Sequence, residues 1–192
     1  MSNLVPQPPS APPAGAWELL DGSRAVGERA EASDKPFDAF YHRELPRLVA
    51  LARALAGPSV ADDLAHEAML TDYRHWSRLA TYDNPEAWAR RICANLATSL
   101  VRRRAAEARA LVRLGSRREP ASLSPTHDAF WDHVRRLPRR QAQAVALRYV
   151  CDLEVAEIAR TMDCSEGSVK VHLSRARQTL AAQLLPDGEE PA

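Results

Sequence analysis

Residues 153–184 read LEVAEIARTMDCSEGSVKVHLSRARQTLAAQL, and their spacing decides the fold. Val155, Ile158, Ala159 and Met162 recur at three- and four-residue steps, which predicts one face of a short helix. Asp163-Cys164 makes the turn; aspartate tolerates a left-handed backbone better than most residues. Ser165 then offers a side-chain oxygen to the first unpaired N–H groups of a longer helix. The inward stripe of that helix is Val169, Leu173, Ala176, Leu180 and Leu184. Two helices across a tight turn, the second cationic on its outer face, make a helix-turn-helix.

Working outward toward the N-terminus, Phe130, Val134 and Leu137 form a short amphipathic set, and Pro138 starts a helix carrying Val145 and Tyr149. Residues 128–184 therefore read as one small helical domain. Residues 105–127 are rich in Ala and Arg, then in Ser and Pro, which reads as a flexible linker whose early part is able to form helix. Fully extended, it would span roughly 70–80 Å. Before it, residues 37–104 carry three helical stripes. Phe37, Phe40, Tyr41, Leu45, Leu48, Ala52 and Leu55 mark the first, which Gly57-Pro58 stops. Ser59 is the expected cap of the second, over about 60–76, with Leu64, Ala65, Ala68 and Trp76 inward. The polar stretch Ser77 to Asn84 interrupts the pattern. Asn84-Pro85-Glu86 starts the third helix, with a capping side chain, a proline whose missing N–H costs nothing, then an acid. Its buried stripe is Ala89, Ile92, Cys93, Leu96 and Leu100, and it is expected to end near Arg104. The fold class is all-α: two small helical domains joined by a flexible linker, the C-terminal one a helix-turn-helix. Residues 1–36 hold six of the fourteen prolines and read as a disordered tail; residues 185–192 read as an acidic one.

Composition removes several function classes. No apolar run reaches the length of a membrane span, and no secretory signal is visible, so a cytoplasmic protein is expected. Cys93, Cys151 and Cys164 form no CxxC pair and read as buried core thiols. His66-Glu67 begins like a zinc helix, but Leu70 stands where the second histidine would be. No metal or cofactor is expected. With no phosphate loop and no nucleophile elbow either, an enzyme is the least favoured reading.

The net charge of +1 is uninformative; its distribution is not. Residues 90–118 carry nine arginines against the single acid Glu107, whereas 59–72 carry Asp62, Asp63, Glu67 and Asp72 with no Lys or Arg. Separated acidic and basic surfaces suit a chain that bridges two partners. On the last helix Ser168, Lys170, Val171, His172, Ser174, Arg175 and Arg177 point away from the apolar stripe, as a major-groove reader requires. On the third helix Arg90, Arg91, Asn95, Thr98, Ser99, Arg102 and Arg103 offer guanidinium, amide and hydroxyl groups suited to DNA. Trp76, Tyr82 and Trp88 flank the preceding loop, either stacking on unpaired bases or simply filling the core.

These residues resemble the extracytoplasmic-function group of bacterial sigma factors. Asp62-Asp63-Leu64-Ala65-His66-Glu67-Ala68-Met69-Leu70 is similar to that group's acidic helix, which implies polymerase-binding roles for Asp63, His66 and Glu67 on the beta-prime clamp helices. Asn84-Pro85-Glu86-Ala87-Trp88 and Ile92-Cys93-Ala94-Asn95-Leu96-Ala97, running on to Arg102-Arg103-Arg104, resemble its minus-ten reading helix. The resemblance implies minus-ten roles for Trp88, Arg91, Asn95, Thr98, Ser99, Arg102 and Arg103. Leu137-Pro138-Arg139-Arg140-Gln141, Ala156-Glu157-Ile158-Ala159 and Ser165-Glu166-Gly167-Ser168-Val169-Lys170 resemble the minus-thirty-five domain, which implies that Ser168, Lys170, Val171, His172, Ser174 and Arg175 read the second box. Asp163 replaces the usual turn glycine, and Val171-His172 a commoner Ser-Arg pair. The resemblance covers 37–184 and implies an alternative sigma factor that binds core RNA polymerase, also through the beta flap, selects promoter DNA and helps melt it. An anti-sigma factor is a further implied partner, and association with the nucleoid is implied when the chain is in holoenzyme. Two rivals remain open: a dimeric stand-alone regulator of duplex operators, and a protein that sequesters a partner without reading DNA.

Overall fold

The computed structural model describes residues 34–113 and 128–184, and every regular element within them is helical. Most of the 1–36 tail, linker residues 114–127 and the 185–192 tail lie outside the described residues. Helix α1 (Asp34–Ala56) starts three residues before Phe37 and buries Phe37, Phe40, Leu48, Leu51, Ala52 and Leu55. It ends at Gly57, whose φ of 93° suits a residue without a Cβ and whose N–H reaches back to the Arg53 carbonyl at 3.0 Å.

A 3-10 turn over Pro58–Val60 leads into α2 (Ala61–Arg74), so the expected Ser59 cap is not made. The 3-10 turn places the N-cap at Val60, and Asp62 and Asp63 sit in the first turn, where the helix dipole favours anions. The interrupted stretch after α2 contains a single helical turn, α3 (Trp76–Leu79), that buries Trp76 and Leu79. Asn84 caps α4 (Pro85–Arg113) as the sequence predicts, its Oδ1 accepting from the Ala87 N–H at 2.9 Å. Helix α4 does not stop near Arg104. Residues 105–113 continue it, because Ala105, Ala106, Ala108 and Ala110 are strong helix formers. Glu107 sits one turn from Arg103, and Arg109 Nε donates to the Ala105 carbonyl.

Two buried carboxylates stand out in this bundle. Glu44 is fully buried and accepts from Arg43, Arg47 and Arg90 at 3.1, 2.8 and 3.2 Å. Asp72 is equally buried on α2, but neither of its carboxylate oxygens finds a partner among the described residues. Burial alone pushes its pKa from 3.8 up to about 8. The folded chain therefore holds this proton across a pH window in which the unfolded chain has released it. Stability should fall as pH rises from about 4 to about 8 and level off above that. Asp72→Asn keeps the shape and removes the titration. Its melting temperature is expected to change less than the wild type's between pH 5 and pH 8; parallel curves would mean the carboxylate is already ionised in the fold.

In the C-terminal half α5 (Asp128–Arg136), α6 (Arg139–Tyr149), α7 (Val155–Met162) and α8 (Glu166–Leu184) follow the expected order. Glu154 and Glu157 form a reciprocal capping box at the start of α7. Asp163 takes the left-handed conformation at φ 53°, filling the place of a turn glycine. Val169, Ala176 and Leu180 are buried and Leu173 packs against them, but Leu184 is half exposed and leaves the stripe.

The two halves touch. Helix α5 packs on α1, α6 on both α1 and α4, and α7 on α4. Consequently α6 buries six consecutive residues, Ala142 to Leu147, rather than one face. Arg135 of α5 donates to the Arg53 and Ala54 carbonyls at the C-terminal end of α1, both at 3.2 Å, where a cation suits the helix dipole.

Candidate nucleic-acid interface

Helix α2 buries Leu64, Ala65, Ala68 and Met69 and so turns Asp62, Asp63, His66 and Glu67 to solvent. His66 Nδ1 lies 2.7 Å from the Asp62 carbonyl, which fixes the ring one turn from its own backbone. The acidic strip continues beyond Glu67 into Leu70 and Tyr73, exposed by 49% and 44%. An acid-then-apolar strip of this kind would suit a protein partner, and its apolar end is not marked by charge pattern alone.

The helix-turn-helix is assembled as the spacing requires. Ser165 Oγ accepts from the Ser168 N–H at 3.2 Å and lies 2.9 Å from the Ser168 hydroxyl. Arg140 of α6 donates to the Met162 carbonyl at 2.7 Å, occupying the open end of α7 and holding the turn. With Val169, Ala176 and Leu180 inward, α8 exposes Lys170, Val171, Ser174 and Arg175 on one side. Val171 is 46% exposed, an apolar surface among cations that would suit a thymine methyl. His172 is half-buried, and burial, then the nearby Arg140 and Arg175, lower its pKa. A lowered pKa favours the neutral ring, which can both donate and accept.

The α4 candidates divide into two sets. Ser99, Arg102 and Arg103 are exposed. Trp88 is half-buried edge-on to Tyr82, at 6.1 Å between ring centroids, and its buried Nε1 has no partner among the described residues. Trp76 is core. Arg91, Asn95 and Thr98, expected outward, instead meet the C-terminal domain. Arg91 pairs with Asp163 at 3.2 Å. Asn95 Oδ1 accepts from Arg139 at 2.6 Å and from Gln143 at 3.1 Å. Thr98 is buried, with Gln143 Nε2 3.3 Å from its hydroxyl. Gln143 is not among the residues that sequence reasoning singles out, and Arg139 enters it only within the Leu137–Gln141 motif, with no role of its own. The signal that points to them is α6 itself: Ala142, Ala144, Val145, Ala146 and Leu147 leave it apolar on every side, so it must be covered on more than one.

The three cysteines are unpaired. Cys93 is buried as expected and donates to the Leu48 carbonyl at 3.5 Å, while Cys151 and Cys164 are only partly buried. Burial pushes the Cys93 thiol well up and Cys151 to about 11, so neither is a reactive thiolate at neutral pH.

Both halves of this arrangement have counterparts among known proteins. Residues 40–107 match the family described as Sigma-70 region 2, and residues 127–180 the family described as Sigma-70, region 4. The ECF RNA polymerase sigma factor BldN of Streptomyces coelicolor is 31% identical over 93% of this chain and 83% of its own length. SigM of Mycobacterium tuberculosis, also an ECF RNA polymerase sigma factor, is 30% identical over 87% of this chain and 83% of its own. Among solved structures, the sigma factor RpoE of Bartonella quintana, in complex with the anti-sigma factor NepR, superposes with a TM-score of 0.62 at 24% identity. That match covers 80% of this chain and 99% of the other. CnrH, in complex with the cytosolic domain of CnrY, gives 0.58 at 21% identity, over 81% and 91%.

Proposed function

We propose a division of labour within this chain, which belongs to the extracytoplasmic-function (ECF) family of RNA polymerase sigma factors. It is an alternative sigma factor that directs RNA polymerase to promoters, a regulatory initiation factor rather than a catalyst. Within that activity, residues 37–104 are the polymerase-binding and minus-ten domain, and residues 128–184 the minus-thirty-five domain. Asp63, His66 and Glu67 grip the beta-prime clamp helices. Trp88, Arg91, Asn95, Thr98, Ser99, Arg102 and Arg103 read and hold the minus-ten element. Capture of unpaired bases beside Tyr82 and Trp88 would offset an unstacking cost of a few kcal/mol per step. Ser168, Lys170, Val171, His172, Ser174 and Arg175 read the second box from the major groove, with the beta flap beneath.

The supporting observation is the sorting of charge onto separate helices. Helix α2 exposes Asp63 and Glu67, while α8 exposes Lys170 and Arg175 on a face built as a groove reader. No helix among the described residues is long and apolar enough to cross a membrane. An anti-sigma factor is proposed as a further partner, since the RpoE and CnrH structures are of complexes, RpoE's with an anti-sigma factor and CnrH's with part of CnrY.

Run-off transcription with bacterial core polymerase on fragments of the source genome tests this reading. Wild-type protein is expected to produce discrete new start sites. Lys170→Ala with Arg175→Ala should weaken them tenfold or more, since a base or phosphate interaction carries about 1–3 kcal/mol. The salt dependence should also shallow, by about one unit of slope for each phosphate that is no longer neutralised. Initiation indifferent to both substitutions would refute the α8 assignment. Tight binding to duplex DNA without initiation would favour a stand-alone regulator.

A further inference from the structure

A half-open cleft of about 470 Å³ lies where the ends of α1 and α5 and the start of α6 meet the middle of α4. Its apolar lining is Leu55, Val101, Ala105, Leu137 and Ala142. Its charged lining is Arg102, Arg135, Arg136 and Arg139, against the one carboxylate of Asp132. That carboxylate is already taken. Asp132 pairs with Arg135, which also donates to the Arg53 and Ala54 carbonyls.

Three guanidinium groups are left without a counter-charge. Arg102 and Arg136 make no hydrogen bond or ion pair among the described residues. Arg139 gives its bond to the neutral amide oxygen of Asn95 at 2.6 Å. Burial, then the nearby Arg140 and Arg102, lower the Arg139 pKa, so like charges crowd this group. Helix α6 also begins at this wall with no side-chain cap and no acid in its first turn, and its dipole adds to the positive field. Like charges held together raise the energy of the compact state, and an anion seated among them lowers it.

The lining says which anion. Arginine forks match phosphate oxygens two at a time, and three forks call for several such oxygens rather than one carboxylate. The apolar side calls for a body on that phosphate. Guanidinium planes stack on aromatic rings, which favours a nucleobase over an acyl chain. The volume falls within the roughly 300–1,000 Å³ of small-ligand sites. A DNA duplex offers phosphates but keeps its bases stacked inside.

We propose that this cleft is a binding site for a nucleoside polyphosphate. Arg102, Arg136 and Arg139 hold its phosphates, and its base lies on Val101, Ala105 and Leu137. Arg102 also belongs to the face assigned to the minus-ten element, so an occupied cleft takes one guanidinium from DNA. That consequence alone rests on the assignment, since ligand binding is read without DNA or polymerase.

The test is isothermal titration of the full chain with ATP, free of divalent cations, beside pyrophosphate and adenosine. ATP is expected to bind one to one, and at least about tenfold more tightly than either fragment. Arg136→Gln, at an exposed position outside every surface assigned above, should weaken ATP about tenfold, as the loss of a charged hydrogen bond does. Ala105→Trp, also exposed, fills the apolar side without altering a charge. It should weaken ATP about tenfold and leave pyrophosphate within about twofold. Thermal melts without ligand show whether each variant is folded; if Ala105→Trp is not, Arg136→Gln decides alone. ATP binding no tighter than pyrophosphate's would reduce the cleft to a patch for any anion and overturn the proposal. So would ATP binding that the folded variants leave unchanged. No ATP binding beside tight binding of a DNA duplex would give the arginines to nucleic acid and overturn it equally.

Discussion

Replacing Asp63 and Glu67 together by arginine is expected to abolish holoenzyme assembly while leaving the protein folded. Both side chains are exposed on α2, one turn apart, and the helix buries only its opposite face. Reversing two charges replaces attraction by repulsion against a basic partner surface, and like charges across an interface cost several kcal/mol. A loss of about 3 kcal/mol is a little over a hundredfold in affinity. The fold should lose much less. Asp63 sits in the first turn of α2, where a carboxylate contributes about 0.3–1 kcal/mol through the helix dipole. Titration of labelled core polymerase, beside a thermal melt, separates the two effects. A melt shifted by a few degrees with binding lost is the expected result. Unchanged binding would remove α2 from the polymerase interface.

Glu44→Ala should be the most damaging single change to the N-terminal bundle. The carboxylate is fully buried and satisfies three guanidinium groups, of which Arg90 is itself only 12% exposed. Removing one side of a buried pair strands the other, at about 3–5 kcal/mol. The lower end applies here, because Arg43 and Arg47 are about half exposed and can turn to water. Arg43 also has Glu86 at 2.6 Å. For a chain of this size, about 3 kcal/mol corresponds to a fall in melting temperature of roughly 6–12 °C. Glu44→Gln, which keeps the acceptor oxygen, should lose less. A Glu44→Ala protein melting within about two degrees of wild type would mean that the arginines are solvated in the fold.

Much of this is legible in the sequence, for identifiable reasons. The helix-turn-helix is readable because Ile158 and Met162 fall on one periodic stripe and Val169, Ala176 and Leu180 on a second, and Ser165 and Asp163 have local chemistry that permits one geometry. Asn84 caps its helix for the same reason: the information lies within four residues. Ser59 fails as a cap because a 3-10 turn after Gly57-Pro58 moves the helix start, a choice the flanking backbone makes. Helix α4 overruns Arg104 because a charged Ala/Arg stretch reads alike as linker or as solvated helix, and its alanines decide between them.

The junction between the halves is least legible. Periodicity reports which side of a helix is apolar but not what covers it. Asn95, Thr98 and Arg91 are polar and read as outward-facing, but what they face is the C-terminal half of the chain. Their partners Gln143, Arg139 and Asp163 lie 44 to 72 residues away, beyond any local rule. Only the apolar circumference of α6 carries the hint. The same limit applies to Asp72, which the charge pattern counts with the acidic surface of 59–72 but which the fold buries completely, with no partner among the described residues.

The double acceptance at Asn95 also bears on how such a chain can diverge. One oxygen takes hydrogen bonds from α6, and the same side chain belongs to the face assigned to a promoter element. A substitution there is constrained twice, by the promoter element proposed for that face and by the two donors on α6 that share its oxygen. A lineage drifting toward a new element at that face would disturb the contact between α4 and α6 on the way, unless position 143 changed with it. Positions 95 and 143 should therefore be inherited as a pair, while Lys170 and Arg175, exposed on the outer face of α8, answer to what that face binds.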